Sequence, residues 1–421
     1  MATATLVEAP PVVVSSQTAR PRLDSVDFLR GLVMVIMALD HVRDFFNIDA
    51  RFFDPSDLTR TTPLLFFTRW ITHFCAPTFV FLAGTGAYLW ASRGRTKAEL
   101  SRFLVSRGLW LIVVELTLVT VGWTYNFTWS FVGLQVIWVI GWSMILLAGL
   151  AWLPLRVIAG IGIILIAGHN LFDGIHPHSL LAAVPATGGA PNPFGKGPIA
   201  GVLSPDATPW DWLWSFLHVF NPPVAYPLIP WVGVMAAGYA FGSVMKRTPE
   251  ERRRICLRLG LGLTAGFVLI RWLNVYGDPA PWASQPDPVY TVLSFLNTSK
   301  YPPSLLYLLM TLGPAIALLG LMDRASGPVV RFFVVYGRVP FLYYVAHLYL
   351  IHGLTLVAAA VTGQAAPGDL RVFFLFYPKT FGFSLGVVYV IWVAVVLALY
   401  PLCWWFARLK ARRRDAWLSY V

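Results

Sequence analysis

Two residues able to hold or transfer charge, Arg30 and His41, lie eleven positions apart in one apolar run near the start of the chain. In a helix, eleven positions make three turns plus about 20°, so both side chains share a face. At about 1.5 Å per residue they are roughly 16 Å apart along the axis. One face therefore carries an anchor of the phosphate-binding type near one surface and a titratable imidazole deep in, or beyond, a bilayer. A neutral imidazole near physiological pH suits a general base or a nucleophile. Asp44, one turn on, or Asp40, acting through another helix, would orient its ring. The plainer reading is a membrane anchor with an interfacial arginine and histidine. Against it stands the cost of about 2.5–3.5 kcal/mol for each charge placed inside a bilayer, which makes such clusters features of sites.

Further residues of the same kind follow. Arg69 and His73 are spaced i,i+4 and share a helix face, so His73 is a second candidate base beside His41. Pro77 frees a backbone carbonyl one turn later, and Gly84 and Gly86 permit close helix packing. Glu115 sits inside an apolar run, where it faces lipid only at high cost; the alternatives are a buried pair with an arginine of another helix and a direct catalytic role. Asn126 and Gln135 either bind substrate or bridge helices. Tyr343 and Tyr344 precede His347 by one turn, making Tyr344 and His347 pocket candidates or a hydrogen-bonded buried pair. The patterns of zinc proteases, P-loop ATPases, serine hydrolases and dinucleotide-binding enzymes are missing in the right context. Three cysteines with no CxxC pair suggest neither a disulfide framework nor a zinc site, and no metal is expected.

The elements that must position these residues are membrane helices. Of 421 residues 57% are hydrophobic and only 12% charged, against roughly 25% charged in soluble domains. The predicted fold class is an all-α polytopic integral membrane protein. Ten segments are long enough to span: 28–46, 66–91, 103–124, 131–152, 155–172, 227–245, 255–274, 303–322, 335–358 and 382–407. Basic residues recur in alternate loops, which places both termini in the cytoplasm. The net charge of +12 is spread over those loops, so anionic lipid or phosphate is the partner it suggests, not nucleic acid. Residues 1–20 read as a disordered cytoplasmic tail and 21–421 as one transmembrane domain. Two loops near 173–226 and 275–302, rich in Pro, Gly and Trp, read as a cap over an extracytoplasmic cavity.

The run Ser25-Val-Asp-Phe-Leu-Arg-Gly-Leu-Val-Met-Val-Ile-Met37 resembles the opening helix of the heparan-α-glucosaminide N-acetyltransferase-like family. Gly133-Leu-Gln135, the stretch Tyr226–Gly242 and the run from Gly337-Arg-Val-Pro to His347 resemble its bacterial members. The spacing of Arg30 and His41 is also similar to the arginine–histidine signature of the membrane acyltransferase-3 family. The resemblance covers nearly the whole chain after residue 20. It implies a ten-helix acyltransferase of the bacterial inner membrane. Cytosolic acyl-CoA, acetyl-CoA first among donors, would be used to modify a carbohydrate or lipid-linked glycan on the far side. In that family the catalytic histidine follows the first helix, in the loop before the next span; here residues 47–65 contain none, so His41 or His73 takes the role.

The leading expectation is thus acyl transfer. Arg30 and the basic loops would hold the nucleotide phosphates, and the pantetheine arm would run past Met34 and Met37 to place the thioester at His41. Arg69 and Gln135 join the donor-binding candidates. A transporter or exporter with an intramembrane proton relay is the alternative, disfavoured by the lack of an internal repeat. A non-catalytic scaffold leaves the ionisable cluster unexplained. A homodimer is compatible with the sequence.

Overall fold

The computed structural model describes residues 23–129, 132–175, 208–218, 224–413, 415 and 418. The expected tail 1–20 and most of the first long loop lie outside them. Helix α1 spans Asp24–Phe46. Helices α2 (Pro63–Trp70) and α3 (Cys75–Ala91) are joined by a 3₁₀ turn. Helix α4 (Lys97–Val114) runs through one π-helical turn, Glu115–Val119, into α5 (Thr120–Thr124). Then come α6 (Val136–Leu150), α7 (Leu155–Gly168), the short α8 (Pro209–Leu217), α9 (Leu228–Phe241) and α10 (Pro249–Leu273). The chain closes with the short α11 (Pro288–Leu296), α12 (Leu305–Leu321), α13 (Pro328–Arg338), α14 (Pro340–Thr362) and α15 (Leu385–Arg412).

The fold is that of an all-α polytopic integral membrane protein: among the described residues, eight helical segments are long and apolar enough to cross a bilayer. A helix stands at each of the ten sequence-predicted spans. The two beyond the eight are α1, which carries the charged cluster, and α6, which has only 15 residues. At 1.5 Å per residue α6 is about 22 Å long, less than the roughly 30 Å of a hydrocarbon core. The ninth predicted span, 335–358, needs correction. The chain breaks at Val339–Pro340, because proline has no N–H to continue the preceding helix, and α14 starts afresh with Pro340 in its first turn.

Helix α1 is the hub, packing against α3, α12, α13, α14 and α15. Its contact with α13 is backbone on backbone. A Cβ on Gly31 would stand 1.8 Å from the Phe333 carbonyl oxygen, and one on Gly337 would stand 1.8 Å from that of Asp27. Small residues allow helices to approach this closely where lipid supplies no hydrophobic drive. Gly84 behaves as expected, lying against Met235 of α9, but Gly86 meets nothing within 4 Å and is not a packing residue.

The second long loop docks onto the bundle. Tyr290 donates to the Thr61 carbonyl at 2.8 Å and Asn297 to that of Ser56 at 2.8 Å. It thereby covers the turn that follows α1.

Candidate functional site

The C-terminal end of α1 is held by Arg51, from the turn beyond it. Its guanidinium donates to the carbonyls of Asp44 (2.7 Å), Phe45 (2.8 Å) and Phe374 (2.6 Å). The last carbonyls of a helix have no partner within it, and Arg51 supplies one. Burial pulls the Arg51 guanidinium down to about 10. With this end pinned, the last turns of α1 present His41 to α5 and α14.

His41 is buried, with its ring stacked on that of His347 of α14; Nδ1 of His41 lies 2.6 Å from Nε2 of His347. The second nitrogen of His347, Nδ1, lies 2.8 Å from the Tyr343 carbonyl oxygen. A carbonyl only accepts, so His347 Nδ1 carries the hydrogen. In neutral His347, Nε2 is then the acceptor, and His41 donates to it from Nδ1. That leaves Nε2 of His41 with its lone pair open, and it has no hydrogen-bond partner among the described residues. The Trp123 ring packs edge-on against His41, centroids 4.8 Å apart, and Tyr344 stands at 6.4 Å.

His41 takes its ring partner from α14, not from an acid on its own helix. Asp44 is engaged by Arg43 at 2.5 Å. Asp40 is the centre of an ionic hub, bonded to Arg69 (2.9 and 3.1 Å) and the Thr72 hydroxyl (2.8 Å), with Arg43 at 2.8 Å and Lys300 at 3.6 Å. Neither Asp40 nor Asp44 hydrogen-bonds the imidazole; both carboxylates bond cations instead. Arg69 belongs to that hub. His73 lies next to it, packed on the Tyr307 ring, and its Nδ1 is buried with no partner.

Glu115 does not pair with an arginine. It is fully buried and accepts the Trp138 backbone N–H at 3.0 Å, with the N–H groups of Gln135 and Ile137 also directed to it. It thus caps the start of α6, satisfying the orphan donors and the positive end of the helix dipole. Gln135 is the N-cap residue of α6 and takes part in this contact through its backbone. Asn126 turns its carbonyl to Thr128, accepting its N–H and hydroxyl at 2.7 Å each, within a local turn. Met34 and Met37 are buried in the core. Arg30 is on the N-terminal half of α1, where it donates to Asp27 and to the Gly337 carbonyl, each at 3.2 Å.

The structure thus gathers His41, His347 and Tyr344, sets Asp40, Asp44, Arg69 and His73 beside them, and leaves Arg30 at the other end. Sequence reasoning passed over Trp123, Arg43 and Lys300. Arg43 could have been found, since Asp40 and Asp44 flank it in the same turn. Trp123 is one of 18 tryptophans, and Lys300 lies about 260 residues from its partner, so neither gave a local signal. Among the described residues no group of three His, Cys, Asp or Glu side chains is gathered as for a metal ion.

The family described as heparan-alpha-glucosaminide N-acetyltransferase, catalytic, matches residues 22–278, more than half of the chain and inclusive of the whole of α1. No curated protein matches the chain. With that match, the chain belongs to the heparan-α-glucosaminide N-acetyltransferase family of membrane acetyltransferases.

Proposed function

We propose that the protein moves an acyl group, acetyl in the first instance, from cytosolic acyl-CoA to a hydroxyl or amine of a carbohydrate or glycoconjugate on the extracytoplasmic side. The observation that carries this reading is the relay Tyr343 carbonyl–His347–His41, which leaves Nε2 of a buried imidazole free to take a proton. His41 acts as general base on the acceptor, and His347 is its positioning residue. The donor's phosphates lie against Arg30 and the basic loops, which face the cytoplasm together with both termini, and the membrane is a bacterial inner membrane.

The test uses full-length protein in nanodiscs, incubated with acetyl-CoA labelled in the acetyl group and with a panel of amino sugars and glycosides. Transfer of label with release of free coenzyme A is expected. Failure to bind coenzyme A or acetyl-CoA, together with proton-coupled uptake into vesicles, would overturn the reading in favour of a transporter.

A further inference from the structure

Two buried donors beside His41, the indole Nε1–H of Trp123 and the hydroxyl of Tyr344, close no hydrogen bond, and neither does Oε1 of Glu115, a neighbour of Tyr344. All three residues are almost wholly buried, at 4%, 4% and 0% exposure. A buried donor without an acceptor costs about 1–3 kcal/mol, so two of them around one ring need an explanation. Local structure accounts for how they meet. The π-helical turn Glu115–Val119, closed by the Thr120 hydroxyl on the Glu115 carbonyl at 2.8 Å, precedes the single turn of α5 that carries Trp123. Such turns re-aim the residues after them. Trp123 is then fixed between His41 and a stacked Phe45, at 4.8 and 5.4 Å. Tyr344 is one turn before His347 on α14, and the two rings meet edge-on at 5.7 Å. The indole and the phenol are neighbours, yet no hydrogen bond of ordinary geometry closes between them, and Glu115 lies in electrostatic reach of the phenol.

We infer that Trp123 Nε1–H and Tyr344 Oη–H form the oxyanion hole for acyl transfer at His41. The inference rests on the acyl-transfer reading and assigns two catalytic residues that it lacked. In the step, His41 Nε2 removes the proton of the acceptor hydroxyl or amine as the acceptor's lone pair attacks the thioester carbon. The new C–O or C–N bond forms, and the carbonyl π pair moves onto oxygen. Trp123 and Tyr344 both donate to that oxyanion. On collapse the C=O bond re-forms, the C–S bond breaks, and the coenzyme A thiolate leaves with the proton held by His41. Both donors are fixed before reaction in the buried interior, where such hydrogen bonds act most strongly on developing charge. Glu115 holds the π turn and α6 in register and is a positioning residue.

The test replaces each donor with an isostere that cannot donate: Tyr344→Phe, and benzothienylalanine at position 123. Folding is controlled by a monodisperse elution profile and unchanged coenzyme A binding. Each variant is expected to lose about 10²–10³ in kcat with little change in KM for acetyl-CoA, the mark of an interaction made only in the transition state. A trifluoromethyl-ketone analogue of acetyl-CoA, which becomes tetrahedral, should lose affinity in proportion to kcat/KM. If both variants keep near wild-type kcat while His41→Ala is inactive, the oxyanion hole is overturned and acyl transfer stands. If the wild-type protein transfers no acyl group to any acceptor, both fall.

Discussion

The two ends of α1 are both charged, yet they are built on opposite plans. At the N-terminal end, among the described residues, three acids meet three arginines. Asp27 pairs with Arg30 at 3.2 Å, Asp24 with Arg338 at 3.1 Å, and Asp323 takes both arms of Arg252 at 2.7 Å. Ser25 completes this set with a 3.3 Å bond to Asp323, and the Gly31–Gly337 crossing closes it. At the C-terminal end two acids, Asp40 and Asp44, face three cations, Arg43, Arg69 and Lys300. There Nε and Nη1 of Arg43, Nδ1 of His73, Nε1 of Trp123 and the Tyr344 hydroxyl are buried without a hydrogen bond, whereas at the N-terminal end the two such atoms, Asp27 Oδ2 and Arg338 Nε, face each other as an ion pair at 3.8 Å. Matched charge and backbone contact make a joint; unmatched donors beside an open imidazole nitrogen make a site. The comparison separates charges that hold the fold from charges that work, which charge content alone does not.

The largest effect that sharpens this contrast belongs to His41→Ala. Loss of a general base should lower kcat by about 10²–10⁴ with coenzyme A binding retained. Single-turnover acetyl transfer and calorimetric titration of coenzyme A report the two quantities separately. Should His41→Ala turn over like wild type while His73→Ala does not, the base moves to the turn before α3 and the working part of the C-terminal end shifts with it.

Asp40→Ala comes next, and its readout is stability. Removing the carboxylate leaves Arg43, Arg69 and Lys300 confronting one another, and breaking a buried pair in this way costs about 3–5 kcal/mol. A large fall in the melting temperature of the purified protein is expected, with Asp40→Asn, which keeps hydrogen-bond acceptance, falling less. An Asp40→Ala protein that melts like wild type but does not react would return Asp40 to the catalytic group.

How far these two ends could be read from sequence follows from the range of the forces involved. The ten apolar segments are local patterns, and each coincides with helix, the ninth broken at Val339–Pro340, because hydrophobic length is a property of contiguous residues. His41 and His347 were each legible as polar residues in apolar helices; their 2.6 Å contact was not, since it joins positions 306 apart. The helix-face argument correctly put Arg30 and His41 on one helix but said nothing of which neighbours packed there, and α13 proved to occupy the Arg30 end. Glu115 was recognised as buried, yet its partner, the start of α6, is a backbone feature that no residue type announces.

A smaller effect tests the joint. In Gly31→Val the new side chain would enter the space of the Phe333 carbonyl, a backbone atom that cannot rotate aside. Overpacking of this kind costs about 1–3 kcal/mol. Thermal unfolding should shift downward while kcat of the surviving folded protein stays near wild type, because α13 holds the helix and takes no part in the chemistry. Lost turnover at unchanged stability would mean that the joint transmits to His41.

Arg30 is the finest test, because it stands on the line between the two plans. Its bonds to Asp27 and Gly337 are both long, at 3.2 Å, and its side chain keeps 22% exposure, more than Asp27 or the arginines of the C-terminal cluster. An arginine used only as a strut would be expected to close shorter bonds and be covered. One that meets a phosphate keeps part of its side chain exposed. On the donor-binding proposal Arg30→Ala removes a charge-assisted contact worth about 1.5–3 kcal/mol, present equally before and during reaction. KM for acetyl-CoA should then rise roughly ten- to hundred-fold with kcat little changed. Arg30→Lys should recover part of the loss, since charge survives and the fork does not. Coenzyme A titration and thermal unfolding on the same sample separate the two roles. Unaltered coenzyme A affinity with a lowered melting temperature would place Arg30 wholly in the joint, and the donor's phosphates would have to be sought among the basic loops instead.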